Sequence, residues 1–283
     1  MRSWIVDETA DLLVVDKPGL VVCHPSKQGP WSSLIGACRE YLGLERLHMP
    51  SRLDRETSGV VVFAKNRETA SRMQRAAEQR RVRKTYWAIL CGTLRERQEV
   101  CQPIARDVDA EFASRQRVVD EGGCAAVTEF DPVKWGSGYT LARVHPRTGR
   151  LHQIRVHAAW LGHAVAGDKL YGPDPSLMLE FTKYGFTERL AGMLPLPRHA
   201  LHAAEIVFPG ERGEEVFRAP LAGDLVEFCR TKMGNTWLER EALELFAGRI
   251  LAGLPAPQFR STPLNTYENV RFLCVQTRTR RVT

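Results

Sequence analysis

The chain has 283 residues, a formal net charge of +7 and a sequence pI of about 9.2. An apolar fraction of 43% is enough for one large core or two small ones. No apolar run approaches the roughly 18 residues that a membrane-spanning helix needs, and the first residues have no signal-peptide pattern. These observations exclude a helical membrane protein and predict a cytoplasmic one.

The basic residues point to a polyanionic partner. Of the 40 lysines and arginines, 32 are arginine. The planar arginine fork suits phosphate and can stack on bases, which favours a nucleic acid. A genome of high GC content would also enrich arginine, so composition alone leaves both explanations open.

The seven cysteines are widely spaced and form no CxxC pair. Such spacing argues against a disulfide framework and against a structural zinc site. We interpret most of them as small buried apolar residues, and we expect no metal.

Short strands and helices fill the first part of the chain. An apolar strand is predicted at residues 12–15, followed by a helix over residues 32–42. A second apolar strand at residues 60–64 leads into a helix over residues 67–81, for which Asn66 is the expected N-cap.

The central part of the chain continues this mixture. Strands are predicted at residues 85–91, 125–130, 139–144, 205–208 and 215–217, and a helix over 152–161. Because the order lacks a regular strand–helix–strand rhythm, it favours an α+β fold with a mostly antiparallel sheet. The pattern changes after about residue 235. We therefore predict one folded domain over residues 1–235 and a C-terminal segment, 236–283, with a helix at 236–251 and a partly flexible basic tail.

Three segments could carry chemistry. The first is the loop at residues 51–59, where Asp54 lies at the mouth of an apolar strand between Arg52 and Arg55. A carboxylate there can act as a nucleophile, a base or an electrostatic stabiliser, provided that cations or donors keep it ionised. Taken alone, Asp54 is better explained as the cap of a turn.

The second segment, residues 83–88, contains Lys84 and Tyr86 on a predicted strand. A tyrosine facing a cleft can stack on a nucleobase, and its hydroxyl can move a proton. The alternative is that Tyr86 is an ordinary core aromatic.

The third segment, residues 147–157, is predicted to enter a helix on which His152 and Arg155 share a face. Arg150 lies at the start of that helix, where an arginine gains nothing from the helix dipole, so a phosphate or carboxylate partner is favoured. His152 and His157 are five residues apart and do not meet on a helix, which argues against a metal site.

These segments, in this order, resemble the RluA-type family of RNA pseudouridine synthases. The resemblance runs from about residue 12 to about residue 220. Its motifs are RLDRETSG at 52–59, KTYWAI at 84–89, GRLHQIRVH at 149–157, GDKLYG at 167–172 and RHALHA at 198–203. Several motifs in one order are far more specific than any single one.

The resemblance implies a fold and a reaction. The fold would be a mixed, mostly antiparallel sheet in two subdomains flanked by helices, with a central active-site cleft. The reaction would be isomerisation of specific uridines in structured rRNA or tRNA to pseudouridine by a monomer, without cofactor, metal or ATP. Asp54 would be the catalytic aspartate, Arg155 its arginine partner, and Tyr86 the tyrosine that stacks on the uracil and assists removal of the C5 proton.

The resemblance also implies how RNA is held. Arg52 would fill the space that the flipped base leaves, and the other residues expected to contact RNA are Arg55, Lys84, Arg150 and His152. The chain departs from the family pattern at Pro50-Ser51, where relatives carry a histidine, and we expect no N-terminal S4-type RNA-binding domain.

Two other functions remain open from the sequence. A non-catalytic RNA-binding or RNA-chaperoning protein on the same fold fits the charge equally well, although binding alone needs no combination of Asp54, Tyr86 and Arg155. A phosphate-handling enzyme would also use arginines, but the chain has no Gly-rich loop of the P-loop type.

Overall fold

The computed structural model of the protein describes residues 1–25, 33–210 and 213–234. The predicted helix at 236–251 and the rest of the C-terminal segment, 236–283, lie outside the described residues, so the division into two parts stays a prediction. The helices are α1 Leu34–Leu42, α2 Arg67–Glu78, α3 Gln153–Trp160, α4 Ser176–Tyr184, α5 Glu188–Met193 and α6 Gly223–Met233. The strands are β1 Ile5–Glu8, β2 Leu12–Lys17, β3 Ser58–Ala64, β4 Arg83–Cys91, β5 Gln98–Val100, β6 Ile104–Arg106, β7 Gln116–Val118, β8 Thr128–Gly136, β9 Tyr139–Pro146, β10 Leu201–Gly210 and β11 Gly213–Arg218.

One nine-stranded sheet organises the described part of the chain. Its order is β1-β2-β3-β10-β4-β9-β8-β5, with β11 paired to β10, while β6 and β7 form a separate hairpin. Among these pairings only β3 with β10 is parallel. The predicted α+β fold with a mostly antiparallel sheet is therefore confirmed.

The two halves of the sheet meet at the short parallel pairing of β3 with β10. Only His202 with Ser58 and Ala203 with Gly59 are in register there. Gly59 has φ +111°, and a Cβ on it would lie 2.2 Å from the carbonyl oxygen of Ala203. Only glycine fits so close an approach in that conformation. The Asp54 loop immediately precedes this junction, which places it between the two halves.

Strand β3 is buried on both faces, which explains its unbroken apolar sequence. Val60 and Val62 pack in the larger core with β4 and β10. Val61 and Phe63 face a smaller core that includes Leu34 of α1. The strand that follows the Asp54 loop is therefore anchored on both sides.

Several helix boundaries differ by a few residues from those predicted, and for two of them the backbone gives the reason. The Asn66 side chain accepts a hydrogen bond from the Thr69 backbone amide at 2.9 Å, so the predicted N-cap of α2 is confirmed, but the helix ends at Glu78 because Arg80 has φ 56°. Helix α3 begins one residue late because His152 has φ 55°, a left-handed conformation that a helix cannot include. Within the three described ranges, no helix is long and apolar enough to cross a membrane.

Candidate active site

The backbone of the Asp54 loop accepts hydrogen bonds from two buried basic side chains, Lys17 and Arg198. The Lys17 ammonium donates to the carbonyl of Arg55 at 3.0 Å, and the Arg198 guanidinium donates to the carbonyl of Glu56 at 3.0 Å. Burial lowers the pKa of Lys17 to about 7. These contacts restrict the two residues that follow Asp54.

Side-chain contacts hold the same loop. Lys169 donates to both oxygens of Glu56, at 3.0 and 2.9 Å, and the His199 backbone amide donates to the same carboxylate at 2.9 Å. Thr57 Oγ1 lies 2.7 Å from His199 Nε2. Glu56 and Thr57 are buried, whereas the Asp54 side chain stays partly exposed. Two residues of the RHALHA segment, Arg198 and His199, thus support the loop.

The Arg155 guanidinium joins two carboxylates. Its Nε and Nη2 donate to Asp168 at 2.6 and 2.9 Å, and its Nη1 donates to Asp54 at 2.9 Å. Asp168 also accepts from the backbone amides of Leu170 and Tyr171, at 2.9 and 3.1 Å. This bidentate contact with Asp168 fixes the plane of the guanidinium. The orientation of the Nη1 group that donates to Asp54 is thereby fixed as well.

Both carboxylates stay ionised. Burial alone would raise the pKa of Asp54, but the charge and the hydrogen bond of Arg155, together with the nearby His152 and His199, outweigh it, and the pKa lies below its usual value. The same balance lowers the pKa of Asp168 and raises that of Arg155, because each gains more from its partner than burial costs it. The Asp168 side chain is fully buried, whereas 26% of the Asp54 side chain remains exposed. The carboxylate with an open side is therefore Asp54.

Seven of the eight site residues predicted from the sequence line one cavity. It is lined by Arg52, Leu53, Asp54, Thr57, Lys84, Tyr86, Pro146, Thr148, Gly149, Arg150, His152, Gln153, Ile154, Arg155 and Leu201. The charged groups lie around Asp54, and Leu53, Ile154 and Leu201 add apolar surface. The combination suits a flat, partly polar ring better than a bare phosphate.

Arg55 is the residue that does not reach this cavity. Its Nε lies 3.4 Å from the Leu20 carbonyl oxygen, and its guanidinium carbon lies 5.7 Å from the centre of the Phe181 ring. Its side chain is solvent-exposed on another surface of the loop. A contact of Arg55 with RNA stays a prediction, and it would occur outside the cavity.

Tyr86 and Lys84 line the wall of the cavity that β4 forms. Burial and the charge of Asp54 raise the pKa of Tyr86, so its phenol keeps its proton at neutral pH. Lys84 donates to Ser51 Oγ at 2.6 Å, and burial lowers its pKa. Ser51 therefore places its hydroxyl beside this buried amine.

His152 lies beside Asp54, but not on a helix as predicted. It precedes α3 rather than lying on it, and its left-handed conformation turns the ring towards the cavity. Its Nε2 lies 3.8 Å from Asp54 Oδ2. Burial and the nearby Arg155 lower the pKa of His152 to about 4, so the ring is neutral.

The two remaining arginines lie at the rim of the cavity. The Nε of Arg150 donates to the Ala125 carbonyl at 3.0 Å, and its backbone amide donates to Gln153 at 3.0 Å, which fixes the turn before α3. Arg52 is exposed at the mouth. Both positions leave the guanidinium accessible from outside.

Sequence reasoning missed Asp168, Tyr171, Glu56 and Lys169. All four belong to segments that were matched as motifs, but no role was assigned to the residues. The segment around Asp168 contains no helix or strand, so periodicity gives no signal there. The available sign was the charged pair Asp168-Lys169 next to apolar Leu170, since buried charges occur only with partners.

The protein family of the chain is identified by a sequence match. The model of the RNA pseudouridylate synthase family matches residues 11–160. The chain belongs to this family. It is an isomerase that converts uridine to pseudouridine, and the RluA-type resemblance is confirmed.

Relatives of this pseudouridine synthase cover most of its length. The ribosomal large subunit pseudouridine synthase D of Vibrio vulnificus is 33% identical over 247 residues, which are 85% of this chain and 72% of that protein. The uncharacterized RNA pseudouridine synthase YhcT of Bacillus subtilis is 32% identical over 236 residues, or 80% and 71% of the two chains. The structure of human RNA pseudouridylate synthase domain containing 1 superposes with a TM-score of 0.63 at 25% identity, covering 90% of this chain and 96% of that one.

Proposed function

We propose that the protein isomerises specific uridines in structured RNA, with Asp54 as the catalytic aspartate and with the target base flipped out of its helix. Ribosomal RNA of the large subunit is the first candidate substrate, because this is what the names of several relatives state. Transfer RNA is the second. The observation that carries the proposal is the ionised Asp54 on Arg155, facing a cavity that Tyr86 also lines.

The reaction makes specific demands on the site. The bond from C1′ to N1 breaks, the base turns, a bond from C1′ to C5 forms, the C5 proton leaves and N1 gains a proton. An ionised carboxylate can begin this sequence by attack on C1′, by attack on C6 or by removal of the 2′ proton. Asp54 is suited to each of these first steps, because Arg155 helps to keep its carboxylate charged while part of that carboxylate stays accessible.

A uridine within a helix must first be extruded, at a cost of a few kcal/mol. Arg52 at the mouth of the cavity is placed to occupy the gap that the base leaves. Lys84 and Arg150 add positive charge to the same opening and favour the approach of the phosphate backbone. These positions support base flipping with Arg52 as the inserted side chain.

Tyr86 supports binding of the extruded base. Its ring lines the cavity, and base–aromatic stacking contributes about 1–3 kcal/mol. Because its pKa is raised, the phenol is suited to stacking and to donating a hydrogen bond. Removal of the C5 proton by this hydroxyl would require that it first lose its own.

The non-catalytic alternative accounts less well for the site. A binding protein gains nothing from an ionised carboxylate at the centre of an RNA-binding cavity, because it repels phosphate. An enzyme gains a reactive group. The buried contacts that fix the loop around Asp54 therefore favour catalysis.

The deciding experiment is pseudouridine mapping of total RNA from cells with and without the gene. The deletion strain should lose pseudouridine at one or a few positions. Re-expression of the wild-type protein or of the Asp120→Asn control should restore them, since Asp120 is exposed. Asp54→Asn should not restore them, although it should bind the same RNA. Full restoration by Asp54→Asn would exclude the assignment.

A further inference from the structure

A chain of hydrogen bonds leads from the β6–β7 hairpin to Asp54. The backbone amide of Gln116, on β7, donates to the Tyr171 hydroxyl at 2.9 Å. That hydroxyl lies 2.8 Å from His152 Nδ1. The other ring nitrogen of His152, Nε2, lies 3.8 Å from Asp54 Oδ2 on the wall of the cavity.

The direction of each bond in this chain follows from the groups involved. A backbone amide can only donate, so the Tyr171 oxygen accepts from Gln116. Burial raises the pKa of Tyr171, so the hydroxyl keeps its proton and needs an acceptor. His152 Nδ1 is its nearest partner among the described residues. If Nδ1 accepts, the single proton of the neutral ring lies on Nε2.

The Nε2–H group is then an open donor in the cavity. Its distance of 3.8 Å from Asp54 is too long for a hydrogen bond. The ring is fixed by an edge-to-face contact with Tyr171, with the centroids 5.6 Å apart and the planes at 77°. A fixed neutral donor beside an ionised carboxylate is suited to a neutral oxygen acceptor.

We propose that Tyr171 is a positioning residue that holds His152 as its Nε2–H tautomer, so that His152 donates a hydrogen bond to an oxygen of the nucleotide bound beside Asp54. The role of His152 towards the nucleotide rests on the proposed function. The tautomer itself is a property of the protein without RNA. The tautomer of His152 and its hydrogen bond to the nucleotide can therefore be disproved independently of each other.

The tautomer is tested by NMR on the full-length protein labelled with ¹⁵N-histidine, in long-range proton–nitrogen spectra. His152→Asn assigns the signals. The wild-type protein should show His152 protonated at Nε2, and Tyr171→Phe, which keeps the ring and removes the hydroxyl, should change the Nδ1 signal. Tyr184→Phe is the matched control, because Tyr184 is 73% exposed. Protonation at Nδ1 in the wild type, or an unchanged Nδ1 signal in Tyr171→Phe, would overturn the positioning role.

The catalytic consequence is tested by single-turnover rates at saturating RNA, on an RNA that the wild type modifies. Loss of one hydrogen bond should slow Tyr171→Phe by about tenfold while RNA affinity stays within about twofold of the wild type. His152→Gln places an amide N–H near the position of Nε2–H and should be faster than His152→Ala, for which we expect a loss of about 10²-fold. Equal rates for His152→Gln and His152→Ala, or a wild-type rate for Tyr171→Phe, would contradict the donor role. If no RNA is modified by the wild type, the proposed function fails, and the NMR result still decides the tautomer.

Discussion

Asp54 and Asp168 are bound by the same guanidinium. Arg155 gives two hydrogen bonds to Asp168 and one to Asp54. The fully buried Asp168 fixes the arginine, and the arginine in turn orients the partly exposed Asp54. The site therefore has a supporting carboxylate, Asp168, behind the proposed catalytic one.

The first prediction concerns Asp168. Its replacement by Asn removes half of a buried ion pair, so Asp168→Asn should lower the free energy of unfolding at pH 7 by about 3–5 kcal/mol. Because the folded state lowers the pKa of Asp168, the stabilisation is complete above the unfolded pKa of about 4 and is lost as pH falls towards the folded value. In urea unfolding, the difference in free energy of unfolding between wild type and variant should narrow by up to about 1.4 kcal/mol per pH unit below pH 4.

The matched control is Asp120→Asn, for which the free energy of unfolding should equal that of the wild type at every pH. If the difference in free energy of unfolding between the wild type and Asp168→Asn is the same at pH 7 and pH 3, Asp168 acts through packing rather than through its charge.

The second prediction concerns Arg155. A lysine keeps the charge but offers one ammonium, which cannot hold both carboxylates in the geometry of a planar fork. Arg155→Lys should lower the single-turnover rate by about 10²-fold through misplacement of Asp54. The thermal unfolding midpoint should change less than in Asp168→Asn, because the buried charge is retained. Arg230→Lys, on the exposed end of α6, is the control. Equal rates for Arg155→Lys and wild type would exclude the pairing as a catalytic requirement.

The third prediction compares two neighbouring arginines. Arg52 lines the cavity, whereas Arg55 rests against Leu20 and Phe181. If Arg52 fills the space of the flipped base, Arg52→Ala should slow modification of a paired target uridine by about tenfold or more. The loss should be much smaller when the target lies opposite an abasic site, since extrusion then costs less. Arg55→Ala should show no such dependence on pairing, and a similar dependence in both variants would argue against insertion of Arg52.

The fourth prediction concerns the amine of Lys84, which donates to Ser51 and, within the part of the chain that the structure describes, forms no ion pair with a carboxylate. Lys84→Met should weaken RNA binding and reduce the slope of log affinity against log salt by about 1, if the amine meets a phosphate. The same substitution should not lower the free energy of unfolding at pH 7. Burial lowers the pKa of Lys84, so wild-type stability should rise relative to the variant as pH increases towards the unfolded pKa of about 10.

The control for this prediction is Lys183→Met, because Lys183 is exposed. An unchanged salt slope in Lys84→Met would exclude a phosphate contact at this position.

Local features of the fold were predictable because they depend on neighbours in the chain. The apolar run of β3 and the N-cap at Asn66 are short-range patterns, and the structure has both of them. Helix α4 was not predicted. Its N-cap position is Pro175, which makes no side-chain capping bond, so the usual start signal is missing.

The sequence by itself determined the fold class, the family and the residues that could react, because motifs and apolar periodicity are carried by adjacent positions. Only the tertiary structure decided how these residues act together. Asp54 and Arg155 are 101 positions apart, and their contact depends on a junction of two sheet halves that no local pattern describes. The side chains that support them, Asp168 and Tyr171, lie in a segment without regular structure, where their direction is determined by partners distant in the chain. The left-handed backbone of His152 is likewise decided by the tertiary structure. The local sequence favours a helix that includes His152, but in the folded protein the helix begins only at Gln153.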